Sequence, residues 1–194
     1  MEEQGCCLFS GKPIEGAIAL ALNELSKSKS FDEITVSEIC KAASVSRSTF
    51  YRFFSSKEDV QKFCMRSVSS VGFEKIGRTL GLREGLMLTL AGTKFLGNSF
   101  KSVRSSVDSR NAVYLDIDFV EYHCRVFAET ITRYKRVRFG EGLEFVLHAW
   151  VCLLSDCLSD WRVNEYEMPI DVLVGYLERT VPPELYELLK DPSL

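Results

Sequence analysis

The residues best suited to chemistry lie between Ile39 and Lys57, a stretch with Lys41, Arg47, Arg52 and Lys57 and no Asp or Glu, in a chain of net charge −3. Hydroxyls interleave with these bases at Ser46, Ser48, Thr49 and Tyr51, and two more precede them at Thr35 and Ser37. A guanidinium presents two parallel N–H donors that match the major-groove edge of guanine, and a hydroxyl can meet either a base or a phosphate. Side chains at helix N-termini add to the backbone N–H groups and dipole that hold phosphate. The pattern suits the surface of a polyanion. It does not suit bond breaking: the chain has no GxSxG, P-loop, GxGxxG or HExxH, and neither of its two histidines stands in a triad context, so no catalytic residue and no enzyme is expected.

Net charge alone would argue against nucleic acid, but the charges are unevenly placed. Residues 1–66 carry nine bases and nine acids, 67–138 twelve and seven, and 139–194 three and eleven. The local field, not the sum, attracts phosphate. Of the seven cysteines, none forms a CxxC pair, and Cys152 and Cys157 are five apart, on different sides of a helix. With His123, His148 and Cys124 they offer no ready metal spacing, so neither a metal nor another cofactor is expected, and the thiols are read as reduced and mostly buried. No run of about 18 uncharged apolar residues is present and the first residues carry acids where a secretory signal carries bases, which reads as a cytoplasmic protein without a membrane partner.

The elements that position the polyanion face are helical. Ile14, Ala17, Ile18, Ala21, Leu22 and Leu25 fall at helical spacing, which predicts a helix from Lys12 to about Lys27, ended by SKSKS. Phe31 and Ile34 plug a small core, and Thr35 with Glu38 makes a capping box for a short second helix. Ala43, Ser44 and Val45 form a tight turn, and Ser46 caps a third helix. On that helix Phe50, Phe53 and Phe54 are assigned to packing, with Arg47, Ser48, Tyr51 and Arg52 on the opposite arc. Ser55 or Ser56 caps a fourth helix from Lys57 toward Val71. Further helices are predicted over Arg83–Phe100, Ala112–Tyr134, Glu141–Trp161 and Ile170–Val181, with Gly97–Asn111 a loop or short helix.

A short capped helix, a three-residue turn and an aromatic-ended helix make a helix-turn-helix. The stretch FDEITVSEICKAASVSRSTFYRFFSSKEDV, Phe31–Val60, closely resembles the signature of TetR-family regulators, and with the first helix the likeness covers about the first third of the chain. One departure is Phe53, where many members carry His. The resemblance implies an all-α fold: an N-terminal three-helix helix-turn-helix DNA-binding domain, then a larger helical ligand-binding and dimerisation domain. The corresponding division is an N-terminal tail over 1–11, the DNA-binding domain over 12–56, and the regulatory domain over 57–194 with the helix from 57 as connector.

The expected function is a sequence-specific DNA-binding transcriptional regulator, a repressor released from a palindromic operator by a small-molecule effector. The alternative is an activator or co-regulator whose C-terminal domain binds a protein. Arg47, Ser48 and Thr49 would read bases. Thr35, Ser37, Tyr51, Arg52 and Lys57 would hold the backbone, and Ser46 belongs to the same surface. Two copies on a twofold axis double a small interface, so a homodimer is expected, paired by resemblance through Glu141–Trp161 and Ile170–Val181. Among the aromatics of the middle helices, which include Phe100 and Tyr114, the expected lining of an apolar effector pocket is Phe95, Phe119, His123, Phe127 and Trp150.

Overall fold

Nine α-helices and no strands make up the residues described by the computed structural model, 8–99 and 110–193, with 110–117 described by backbone alone. The tail residues 1–7, with Cys6 and Cys7, the stretch 100–109, including Phe100, and the Tyr114 side chain lie outside the described residues. Helix α1 spans Pro13–Leu25, α2 Val36–Ala42, α3 Arg47–Phe53 and α4 Lys57–Val71. After a 3₁₀ turn at Phe73–Lys75 come α5 (Leu82–Phe95), α6 (Arg110–Glu129), α7 (Glu141–Val163), α8 (Ile170–Thr180) and α9 (Pro183–Leu189). All-helical architecture is thus observed. The sequence reading missed α9, although Pro183 at its first position, where a helix needs no N–H, is a start signal.

Two cores follow from two sets of apolar faces. The smaller joins Ile18 and Leu22 of α1, Phe31, Ile34, Ile39 and Phe50, and continues past Lys57 to Val60, Cys64 and Val68 of α4 and to Leu96 beyond α5. The larger is built from Phe73 and Ile76, Leu86 and Leu90 of α5, Phe127 of α6, and the inner faces of α7, α8 and α9. Helix α4 therefore contributes to the smaller core along most of its length. A polar stitch reinforces the junction: the Ser99 backbone N–H donates to Asn23 Oδ1 at 2.9 Å, and Gln61 Nε2 donates to the Ser99 carbonyl at 2.8 Å. Asn23, Gln61 and Ser99 are all buried, so these bonds replace water that the core excludes.

Where α4 meets α5 the backbones nearly touch. A Cβ at Gly72 would collide with the Gly85 carbonyl and with Thr89, and one at Gly85 would collide with Ile76. The approach lets the Phe73 N–H donate to Thr89 Oγ1 at 2.9 Å, satisfying a buried donor just after α4 ends. Helix α6 ends differently from expectation: the predicted helix to Tyr134 runs as α-helix only to Glu129 and closes as a π-turn over Thr130–Tyr134. Arg78 explains the change, because its guanidinium donates to the Val126 carbonyl at 3.0 Å and to Thr130 Oγ1 at 2.8 Å, competing with the regular ladder.

Helix α7 is long and apolar enough to cross a membrane by length and composition. Its inner face, Leu147, Trp150, Val151, Leu154 and Leu158, is buried in the larger core, as in the central helix of a globular domain. Its outer face still exposes Phe145 at 75% and Leu153 at 38%, and Val172 and Tyr176 of α8 are exposed as well.

His123, fully buried on α6, ties that helix to α4. Its Nδ1 lies 2.8 Å from the Phe119 carbonyl and its Nε2 2.7 Å from Ser69 Oγ. A carbonyl accepts only, so a neutral imidazole carries its proton on Nδ1 and must accept the Ser69 hydroxyl at Nε2. That hydroxyl then forgoes the Met65 carbonyl 2.9 Å away. Burial disfavours the imidazolium and brings the His123 pKa down to about 4 from 6.5, against a smaller opposing effect of the Phe119 carbonyl. Between those values the unfolded chain binds a proton that the folded one refuses, so stability falls as pH drops from about 6.5 toward 4. At pH 5 the loss is about 2 kcal/mol relative to neutral pH. Thermal melts from pH 7 to 5 should show this slope, and a His123→Phe protein, unable to titrate, should lose most of it; equal slopes would show that His123 is not the cause.

Candidate DNA-binding site

The α2–turn–α3 unit is specified by short polar side chains at helix starts. The Thr35 side chain accepts the Glu38 N–H while the Glu38 carboxylate takes the Thr35 N–H at 2.9 Å, a reciprocal cap that fixes where α2 begins. Glu38 is also paired with Lys29, and the Lys29 ammonium together with the Thr35 donors holds its pKa down at about 2. Ser44 adopts a left-handed backbone (φ 55°) in the turn. Ser46 then caps α3 by accepting the Thr49 N–H at 3.0 Å, and its hydroxyl lies 2.8 Å from both Ser48 Oγ and Thr49 Oγ1. These contacts gather three hydroxyls at the start of the helix whose first turns would enter a groove.

Phe50 is fully buried and anchors α3, with Tyr51 edge-on to its ring at 5.4 Å. The opposite face is open: Ser46, Arg47, Ser48, Tyr51 and Arg52 are exposed, as are Thr35 and Ser37, and Thr49 is half-buried. Arg47 Nη1 donates to Ser37 Oγ at 3.3 Å, so a guanidinium from α3 and a hydroxyl from α2 form one surface. Two sequence assignments change. Phe53, expected in the core with Phe50 and Phe54, is 36% exposed and lies under the Arg52 guanidinium, 4.8 Å from ring centre to Cζ. Three residues past Phe50, it sits about 60° around the helix from the buried direction, while Phe54 reaches the core because the chain turns extended there.

Lys57 differs more. Its ammonium donates to the carbonyls of Phe31, Ile34 and Asp32 at 2.7, 2.9 and 3.1 Å and lies over the Phe31 ring. Three N–H groups on three carbonyls leave none for a phosphate. Lys57 is an internal clamp between the first turn of α4 and the loop before α2.

Of the residues expected to line an effector pocket, four come together and one does not. Phe95 packs with the smaller core, away from the rest. Phe119, His123, Phe127 and Trp150 are together in the larger core, where among the described residues His123 and Phe127 are fully buried, Trp150 is 2% exposed and Phe119 is half-buried. Ring contacts explain the burial: Phe119 on His123 at 4.0 Å and Phe127 on Trp150 at 5.4 Å. The Trp150 indole N–H has no partner among the described residues. His148 and Cys152 are one helical turn apart, with Sγ 3.7 Å from Nδ1, an approach the sequence reading passed over. Among the described residues no three metal-ligating groups converge. Burial raises the thiol pKa of Cys64 to about 12 and of Cys124 to about 11, which leaves them poor nucleophiles. Cys124, Cys152 and Cys157 are only half-buried, more open than expected.

An all-helical chain with a capped helix-turn-helix and an open basic face on its second helix defines a DNA-binding regulator. Comparison agrees: residues 18–61 match the family of bacterial regulatory proteins described as the tetR family. Among solved structures, the dihydroxyacetone kinase operon activator DhaS shares the fold at a TM-score of 0.65 and 13% identity, over 92% of this chain and 98% of that one. The TetR family repressor AlkX from Dietzia sp. strain DQ12-45-1b does so at 0.53 and 15% identity, over 89% and 98%. No curated protein matches the sequence. Residues 18–61 thus carry the DNA-binding region of the tetR family, and the chain as a whole shares the fold of these two proteins; it is a DNA-binding transcriptional regulator.

The Lys57 clamp has a measurable consequence. Lys57→Met leaves three carbonyls without their donor and should destabilise the protein by about 1–3 kcal/mol in chemical denaturation. At temperatures where the variant stays folded, the salt dependence of its DNA affinity should match the parent, whereas a phosphate contact would flatten the slope by about one.

Proposed function

We propose that this regulator is a homodimeric repressor that reads a palindromic operator through Arg47, Ser48 and Thr49. Thr35, Ser37, Ser46, Tyr51 and Arg52 hold the phosphate backbone. The observation that carries the reading is the continuous, exposed, acid-free face from Ser46 to Arg52, with Arg47 braced against Ser37. Lys57 is left out of the contact set because its donors are spent inside the protein. The proposed division keeps 12–56 as the reading unit, with the regulatory body from 57 onward linked to it by α4.

The dimer is supported by exposed apolar side chains on the outer sides of the last two long helices, Phe145 and Leu153 on α7 and Val172 and Tyr176 on α8, which bury their other sides. Two recognition helices must lie about 34 Å apart to enter successive major grooves. A small molecule that prefers a dimer of another spacing withdraws the protein from DNA by the difference of its affinities for the two states. The Trp150 N–H, unpartnered among the described residues and beside Phe127, supports effector entry at the aromatic cluster of α6 and α7, which is closed in this state. One structural neighbour is named an activator and the other a repressor, so the opposite sign of regulation is the second reading.

Arg47→Ala should weaken binding to the selected operator by about 1–3 kcal/mol and relax preference at one base position, as seen by selection from random duplexes. A uniform loss across all sequences would instead make Arg47 a backbone contact. Phe145→Asp should convert the dimer to monomer in sedimentation velocity, since a charge facing its own copy is desolvated twice; an unchanged dimer would place the interface elsewhere.

A further inference from the structure

A polar cleft of about 810 Å³ lies between the reading unit and the regulatory body, in the size range of small-molecule sites. One wall is the end of α3 and the N-terminal segment at Ser10 and Lys12; the other is α4, the 3₁₀ turn and Tyr122 of α6. Four bases line it, Lys12, Lys62, Arg66 and Lys75, against two acids, Asp59 and Glu74. Both acids are engaged. Asp59 accepts the Ser55 N–H at 3.0 Å, and Glu74 accepts the Tyr122 hydroxyl. Lys62 is paired with Asp118 at 2.6 Å. The other three bases have no carboxylate partner among the described residues: Lys12 lies over the Phe63 ring at 5.3 Å and Arg66 over the Tyr122 ring at 5.6 Å. A concave polar surface whose four bases outnumber its two acids, and whose carboxylates are held by neutral donors away from Lys12, Arg66 and Lys75, is complementary to an anion.

We propose that this cleft binds a small organic anion carrying at least two negative charges, a phosphate ester or a polycarboxylate, with Arg66 as the principal contact and Lys75 and Lys12 beside it. The aromatic faces of Phe63 and Tyr122 hold the cations in place and offer apolar surface to the carbon skeleton of the ligand. Because α3, α4 and the N-terminal segment pack with the smaller core while the 3₁₀ turn and the helix of Tyr122 belong to the larger one, the anion binds best at one relative placement of the two. It therefore shifts DNA affinity, and by reciprocity DNA shifts the affinity for the anion. The coupling rests on the regulator reading given above; binding itself does not.

The test is titration calorimetry of the full-length protein, without DNA and at fixed ionic strength, with glucose 6-phosphate, citrate and inorganic pyrophosphate, and glucose as the neutral control. At least one anion should bind and glucose should not. Glucose 6-phosphate against citrate separates a phosphate site from a carboxylate site. Arg66→Gln should weaken binding at least tenfold and Lys75→Gln to a smaller degree. Arg47→Ala, impaired on DNA, should bind the anion as the parent does, so a failed operator assay and a failed anion assay are separable. The proposal is overturned if none of the three anions binds, or if both cleft variants bind like the parent. It is also overturned if Arg66→Gln weakens only duplex DNA, which would assign these bases to the nucleic-acid backbone. A last arm uses Glu2→Gln with Glu3→Gln, since the chain enters the cleft near Leu8. Unchanged anion binding supports the proposal, and binding that emerges only in this variant makes the acidic N-terminus the natural occupant and sinks it.

Discussion

One ammonium group holds the reading unit in register with the rest of the molecule. The loop from Phe31 to Ile34 turns the chain between α1 and α2 and leaves carbonyls pointing inward, and Lys57 satisfies three of them from the first turn of α4. Without a donor there, the part-buried carbonyls of Phe31 and Ile34 would be unpaired, at a total cost on the order of 1–3 kcal/mol. The capping box at Thr35 begins immediately after these carbonyls. The start of α2, and with it the turn and α3, is thus positioned from α4. A shift of α4 has a direct mechanical route to the reading face.

The same helix carries the second connection. Along α4, Lys57 grips the loop before α2, Gln61 donates to Ser99, and Ser69 meets His123 of α6. Those contacts occur at successive levels on one rigid element, so α4 senses the regulatory body at its C-terminal end and the reading unit at its start. At that C-terminal end, the Ser69 hydroxyl has one proton and two acceptors, Met65 and neutral His123. The neutral imidazole, with its proton on Nδ1, decides between them: turning the hydroxyl to Met65 would leave two lone pairs facing each other 2.7 Å apart, so this end of α4, like Lys57 at the other, is held by one definite arrangement.

Much of this was legible in the residues before any coordinates. Helix-turn-helix order followed from local signals alone: apolar spacing in α1, the Thr35–Glu38 box, and Ser46 and Ser56 as caps, all of which act within four residues and so leave a readable trace. What escaped was long-range. Lys57 looked like a phosphate contact because an exposed base at a helix start is chemically the same whether its partner is DNA or a carbonyl 26 residues upstream. The exposure of Phe53 escaped because three residues past Phe50 it lies at the edge of the apolar arc, about 60° from the buried direction, where spacing alone does not say whether the core reaches. Phe95 was grouped with the wrong aromatics, since sequence order does not say that the end of α5 packs on the smaller core.

The closed aromatic cluster bears on how an effector could act at all. Phe119, His123, Phe127 and Trp150 are packed ring on ring, so a ligand entering there must displace contacts worth several kcal/mol before gaining its own. A preformed cleft requires no such opening. The two sites also differ in what they could couple: the cluster lies inside the larger core and reaches the reading unit only through Ser69 and α4, whereas the cleft touches α3 and α4 at once. A ligand can shift an equilibrium only by its differential affinity for the two states. A site lined from both cores would feel any relative displacement of the two directly, and a site inside one core would feel only what crosses their junction. The physical contrast makes the hinge, not the core, the place where the smallest ligand could have the largest effect on DNA binding.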